Sequence, residues 1–208
     1  MAERPTIAWL QSEVTATKGT LFMKKTLMTA VLLAALPAAA MAQSLPRDYS
    51  FVEGGYQYVD PKGGGHADGG YVKGSYGFDS GVYAFGSASR VDAEGFDLDT
   101  YDAGLGYHYA VSSNVDVLGE AAWVRERIED FGHADGYRVG AGVKAGLGRS
   151  FEGTVKANYY DGSDLVSQWS GVVGGRYAFS PQWSITGEAE YFDKSEFTTY
   201  RVGARYSF

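Results

Sequence analysis

The final stretch of the chain, residues 197–208, constrains the fold more than any other. Tyr200, Val202, Ala204, Tyr206 and Phe208 alternate there with Thr199, Arg201, Gly203, Arg205 and Ser207. Side chains change face at every residue of an extended chain, so the pattern makes a strand with one apolar and one polar face. The apolar face carries its rings at the two ends and small residues between them. That spacing suits a face crossing a bilayer, with rings at both interfaces and arginines turned to a polar lumen. Tyr206 and the terminal Phe208 are then a candidate signal for the machinery that assembles outer-membrane barrels.

Composition agrees with many short strands. The 208 residues include 29 glycines and 16 tyrosines and no cysteine, which disfavours a helical bundle. A net charge of -7 argues against a nucleic-acid partner, which selects basic patches. Without cysteine there is no disulfide, thiolate metal site or thiol nucleophile.

Residues 24–42 begin with Lys24 and Lys25, continue through a short apolar run and close on Ala40-Met41-Ala42. This reads as a secretory signal peptide over 23–42, cleaved between Ala42 and Gln43. Met23 is the natural start and residues 1–22 read as a disordered extension from an upstream start at Met1. The apolar run is too short to be a comfortable membrane span, and no other run approaches the ~18 residues a spanning helix needs. A barrel or a soluble exported protein remains.

Residues 43–208 divide into ten alternating segments, roughly 50–59, 70–78, 82–92, 100–110, 115–125, 136–147, 151–160, 167–179, 183–192 and 197–208. Each is near the ~9–11 residues of a tilted membrane strand. Short connections alternate with longer ones, the arrangement of bacterial outer-membrane barrels. The fold class predicted is therefore all-β, a transmembrane antiparallel up-and-down barrel of ten strands, with eight as the alternative. A recurrent small-x-Tyr-x-Phe sequence ends strands at Phe78, Phe179 and Phe208, setting one aromatic belt with Phe151 and Trp183. Tyr58, Tyr101, Trp123, Tyr137, Tyr159, Trp169, Tyr191 and Tyr200 set the other. Amphipathic rings favour headgroup depth, hence two belts. A soluble sandwich would instead carry one continuously bulky face per strand.

By parity, the candidate lumen charges are Glu53, Lys73, Arg90, Glu120, Arg138, Lys144, Lys156, Arg176, Glu188, Glu190, Arg201 and Arg205, joined by Asp102, Asp116 and Glu152. Positive and negative groups nearly balance. A ten-stranded barrel has a backbone radius of only roughly 10 Å, so long side chains can meet across it. Two readings stay open: an ion-paired plug, or a narrow water-filled channel with room left by the inward glycines Gly55, Gly86, Gly104, Gly106, Gly140, Gly142 and Gly203.

Chemistry-bearing motifs are thin. Loop acids such as Asp60, Asp68, Glu94, Asp97, Asp99, Glu129, Asp130, Asp135, Asp161, Asp164, Asp193 and Glu196 are hard oxygen groups, but they lack the spacing of a calcium loop. His66 stands near Asp68, and His133 near Asp130 and Asp135, with no nucleophile elbow. No catalytic, cofactor or metal residue is assigned and no enzyme is expected, although barrel enzymes with loop-end groups exist.

The run Asp48-Tyr49-Ser50-Phe51-Val52-Glu53-Gly54-Gly55-Tyr56, the glycine–tyrosine strands and the Ala204-Arg-Tyr-Ser-Phe208 ending resemble a family of xanthomonad proteins. That family is described as sulfation-dependent quorum factors or immune activators. The resemblance covers nearly all of 23–208, and its most specific element is the tyrosine followed by Phe-Val-Glu-Gly. It implies small outer-membrane barrels, and it also implies a secreted signal sulfated on the residue that is Tyr49 here.

The function expected is a small outer-membrane barrel with structural, adhesive or narrow-channel duties. Outer-membrane lipid, lipopolysaccharide and the barrel-assembly machinery are its expected partners. The alternative is a signalling precursor processed around Tyr49, and an outer-membrane enzyme is the third reading.

Overall fold

A computed structural model describes residues 48–93, 96–128, 132–163 and 165–208. The signal peptide, the Ala42–Gln43 junction, the upstream extension and the loop acids Glu94, Glu129, Asp130 and Asp164 lie outside the described residues.

Ten strands form one closed antiparallel barrel. In chain order they are β1 (Phe51–Pro61), β2 (Ala67–Gly77), β3 (Val82–Ala93), β4 (Phe96–Ala110), β5 (Val115–Ile128), β6 (Gly132–Gly146), β7 (Phe151–Gly162), β8 (Gln168–Ala178), β9 (Trp183–Phe192) and β10 (Phe197–Ser207). Each strand pairs with its sequence neighbour, and β1 closes on β10 with Glu53 opposite Arg205 and Gln57 opposite Arg201. Closure leaves no unpaired edge, the condition for strands to sit in hydrocarbon.

The four short turns share one bond pattern. The amides of Phe78, Val111, Leu147 and Phe179 donate to the carbonyls of Val82, Val115, Phe151 and Trp183 at 2.8–3.1 Å. In the first turn Gly81 takes φ +81°, a left-handed conformation that glycine adopts without a Cβ clash. At the other end β4, β5 and β6 run to 15, 14 and 15 residues, three or four more than the 11 of β1, β2, β8 and β10. This wall rises above its neighbours.

The outer face is apolar and ringed twice. Trp123 stands opposite Tyr137, Tyr159 opposite Trp169 and Tyr58 opposite Tyr200, making the belt at the long-loop end. Phe151 opposite Tyr177 and Trp183 opposite Tyr206, with exposed Phe78, Phe179 and Phe208, make the belt at the short-turn end. Between them lie exposed Val52, Val72, Leu105, Val139, Val173, Ile185 and Val202. The inside is polar: Glu53, Asp116, Arg138, Lys144, Glu152, Asn158, Arg176 and Glu190 are all buried.

Candidate functional site in the barrel lumen

The lumen is organised around carboxylates that each collect several donors. At mid-height Glu120 of β5 accepts from Tyr83 Oη at 2.9 Å, Arg138 Nη1 at 2.9 Å and Lys156 Nζ at 3.1 Å. Those donors come from β3, β6 and β7, so one carboxylate ties four strands together. Toward the long-loop end, Arg201 Nη1 donates to Glu188 at 2.7 Å and to Glu190 at 3.3 Å. Glu190 also accepts from Ser170 at 2.7 Å, Tyr160 at 3.0 Å and Asn158 at 3.3 Å. Lys73 of β2 reaches Glu188 of β9 at 3.0 Å, and β1 and β10 lie between those strands in the wall. This pair therefore spans a chord of the lumen. Lower down, Arg205 holds Glu53 at 2.7 Å, and Tyr71 donates to the same carboxylate at 2.8 Å.

Two inward glycines leave space for rings, not for water. A Cβ at Gly203 would collide with the Tyr71 hydroxyl, and one at Gly106 with the Tyr83 ring.

At the short-turn end the segment before β1 turns into the barrel. Tyr49 is buried at 8% exposure, and its hydroxyl donates to Asp116 at 2.9 Å. Its ring stacks on His108 with centroids 3.9 Å apart and 5° between planes. Lys144 Nζ stands 4.2 Å from the same ring centre. Burial pushes the Tyr49 phenol well above its usual pKa, and the Asp116 carboxylate adds to the shift, so the group keeps its proton. Asp48 lies beside it, accepting from Ser207 Oγ and sitting 3.6 Å from Arg176 Nη1.

Eleven of the twelve candidate lumen charges therefore lie inside the barrel, in four ion-paired groups. Arg90 does not. It shares the outer face of β3 with Ala84 and Ala88, its side chain is 64% exposed, and it grips Asp99 through Nε at 2.6 Å. Gly86, expected inside, has the same outward parity, opposite Ala103. The reason is that Tyr83 and Phe85 of β3 point inward, where Tyr83 reaches Glu120 and Arg138 lies over the Phe85 ring at 5.3 Å. Those rings fill lumen space that an outward reading assigned to the membrane.

The outer face above the belt holds further pairs. Arg125 chelates Asp135 at 2.7 and 2.9 Å and stacks on Trp123 at 4.9 Å. Asp99 and Asp135 are thus neutralised by arginines rather than simply solvated. His133 is 3.6 Å from Asp135, and His66 stacks on Tyr58. Lys62 and Glu196 close another pair at 2.6 Å between two loops.

The family profile described as "Outer membrane protein beta-barrel domain" matches residues 28–208. The chain belongs to this family. The protein is accordingly a small β-barrel of the bacterial outer membrane; in such barrels the short turns face the periplasm and the longer loops lie outside. No curated protein sequence is significantly similar to it. Among solved structures it is similar to the NanC porin, at 14% identity and a TM-score of 0.51, over 76% of this chain and 100% of that one. It also matches the KdgM porin at 17% identity and a TM-score of 0.44, over 76% and 99%. The attachment invasion locus protein Ail of Yersinia pestis matches at 15% identity and 0.38, over 78% and 100%. At these identities the likeness concerns the fold.

Sequence reasoning missed the inward rings Tyr71, Tyr83 and Tyr160, each of which donates to a lumen carboxylate. Gly106 and Gly203, small inward residues placed where a ring must lie, were the available signal for Tyr83 and Tyr71. It also missed Asn158, which bridges Ser170 and Glu190.

Proposed function

We propose that the protein is a closed barrel with a structural or adhesive role at the cell surface, its lumen an ion-paired plug rather than a conduit. The Lys73–Glu188 pair at 3.0 Å carries this reading, because it ties strands three steps apart in the wall by a chord through a lumen only roughly 10 Å in backbone radius. The Glu120 hub adds a second closure, tying β3, β5, β6 and β7. The tall β4–β6 wall, with its charged pairs above the belt, offers an outer surface to lipopolysaccharide and to other cells. Tyr206 and Phe208, both exposed on the outer face at the periplasmic end, are what the barrel-assembly machinery would read.

Single-channel recording tests this. The wild-type barrel gives no discrete openings, whereas Glu120→Ala or Arg176→Ala introduces them. Discrete openings in the wild type would favour the narrow channel instead.

No catalytic role is proposed. Replacing His66 and His133 together leaves any lipid- or peptide-cleaving activity of the outer membrane unchanged; its loss would bring the enzyme reading forward. The signalling alternative centred on Tyr49 meets a physical obstacle. The phenol oxygen is buried against the Asp116 carboxylate, where a sulfate would add like charge to a desolvated site. Modification would have to precede folding. Mass spectrometry of Tyr49 in heat-modifiable barrel tests this, and a sulfated folded population would restore the signalling reading.

A further inference from the structure

The residues Asp48 and Tyr49 precede the first strand, yet they are held as a ligand is held. Tyr49 has a flat partner on one side in His108, a cation near the ring in Lys144 and a carboxylate acceptor for its hydroxyl in Asp116. Asp48 faces Arg176 and Ser207. These contacts come from β4, β5, β6, β8 and β10, so two residues bridge both sides of the periplasmic mouth. Aromatic stacking, cation–π contact and a charge-assisted hydrogen bond are the means by which a tyrosine is selected over other side chains.

The two cations of the site are held at longer range than most of those in the network above it. Arg176 stands 3.6 Å from Asp48, and Lys144 stands 3.9 Å from Glu152. The mid-lumen pairs close at 2.7–3.3 Å. Arg176 is 95% buried, being 5% exposed, and its Nε has no hydrogen-bond partner among the described residues. A buried guanidinium with an unused donor retains capacity for an anion. The segment approaches this mouth from outside the ladder of strands, so it can leave without breaking a strand pairing.

We infer that the periplasmic mouth is a peptide-binding site for an acidic residue followed by tyrosine, and that Asp48–Tyr49 is its tethered occupant. The segment corks the lumen from the periplasm, and a peptide of the same chemistry can replace it. The inference is independent of whether the mid-lumen ion pairs pass ions.

The absence of cysteine from the sequence makes the test clean. Leu118 lies opposite His108 in the β4–β5 register and is 4% exposed, so Leu118→Cys reports access behind the cork. The folded full-length barrel in micelles is treated with a membrane-impermeant maleimide, and retention of the heat-dependent gel shift confirms folding. Protection is expected with Asp48 and Tyr49 in place. Asp48→Ala with Tyr49→Ala should speed labelling roughly tenfold or more, as opening of a locally closed site does. Asp48→Asn, which keeps the shape and removes the charge, should give a smaller rise and serves if the double variant fails to fold. Acetyl-Asp-Tyr-amide should then slow labelling of the uncorked barrel, and acetyl-Asn-Phe-amide should slow it less. Equal labelling rates in corked and uncorked barrels would overturn the cork. Equal protection by the two peptides, or protection by neither, would overturn the recognition chemistry.

Discussion

Glu120→Ala is the perturbation that tests the lumen network most directly. The carboxylate accepts from Tyr83, Arg138 and Lys156, and the side chains of Glu120 and Arg138 are only 9% and 8% exposed. Truncation leaves two cations facing a void. Arg138 keeps a long 3.4 Å hydrogen bond to Asn158 Oδ1 and its place over the Phe85 ring, while Lys156 is 19% exposed and can recruit water. Removing one partner of a buried ion pair costs about 3–5 kcal/mol. The polar, partly hydrated surroundings of Lys156 place the expected loss near the bottom of that range, about 3 kcal/mol. Urea unfolding of the barrel in micelles, followed by tryptophan fluorescence and linear extrapolation, measures it. Glu120→Gln, which keeps an acceptor for Tyr83 and Arg138, should lose less. In a cycle with Arg138→Ala, the coupling should exceed about 1 kcal/mol, as expected for groups in one network. A loss under about 0.5 kcal/mol for Glu120→Ala, the range of ordinary surface substitutions, would mean that the lumen is hydrated enough to screen these charges. The plug would then have no energetic basis.

Three further outcomes follow from the same geometry. Gly106→Ala should destabilise by about 1–3 kcal/mol, the usual cost of forcing atoms into a packed site, since its Cβ meets the Tyr83 ring; Gly187→Ala, with nothing within 4 Å, should not, and urea midpoints compare them. Arg90→Ala should lower the unfolding midpoint less than Arg138→Ala, because the Arg90 side chain is 64% exposed and water can replace it at Asp99, whereas Arg138 is buried with its partner Glu120; equal effects would refute the inward–outward assignment. Removing Phe208 should reduce heat-modifiable barrel in cells while the purified chain still refolds in micelles, separating an assembly signal from a structural residue.

The ten strands and the two belts were legible because a strand that meets lipid on one face must alternate, and rings at the two ends of that face mark the interfaces. The longer β4, β5 and β6 were under-read at their upper ends. There the lipid constraint stops, and outward positions become Asp99, Arg125 and Asp135, so polarity no longer distinguishes the faces. β3 was misread for a related reason. A ring near a strand end serves equally well in a belt or over an inward glycine, and parity within one strand cannot choose. The choice lies in the neighbour: Tyr83 stands opposite Gly106, and a glycine facing the lumen beside a ring on the same face makes room for that ring. Had β3 been set by β4 rather than by itself, Arg90 would have moved outside.

The identities of the lumen charges were readable, but most of their partners were not. Glu53–Arg205 follows from strand order once closure is known. Lys73–Glu188 joins strands that are not neighbours, and which residues face each other across a barrel depends on its stagger, which alternation does not encode. The Asp48–Tyr49 segment was hidden for a different reason, because it precedes the first alternating run and carries no period. Its meaning lies in what the closed barrel leaves at its mouth, the His108 ring, the cations Lys144 and Arg176 and the Asp116 carboxylate. Asp48 and Tyr49 fill that space from the threshold of the first strand, where no alternating pattern could mark them.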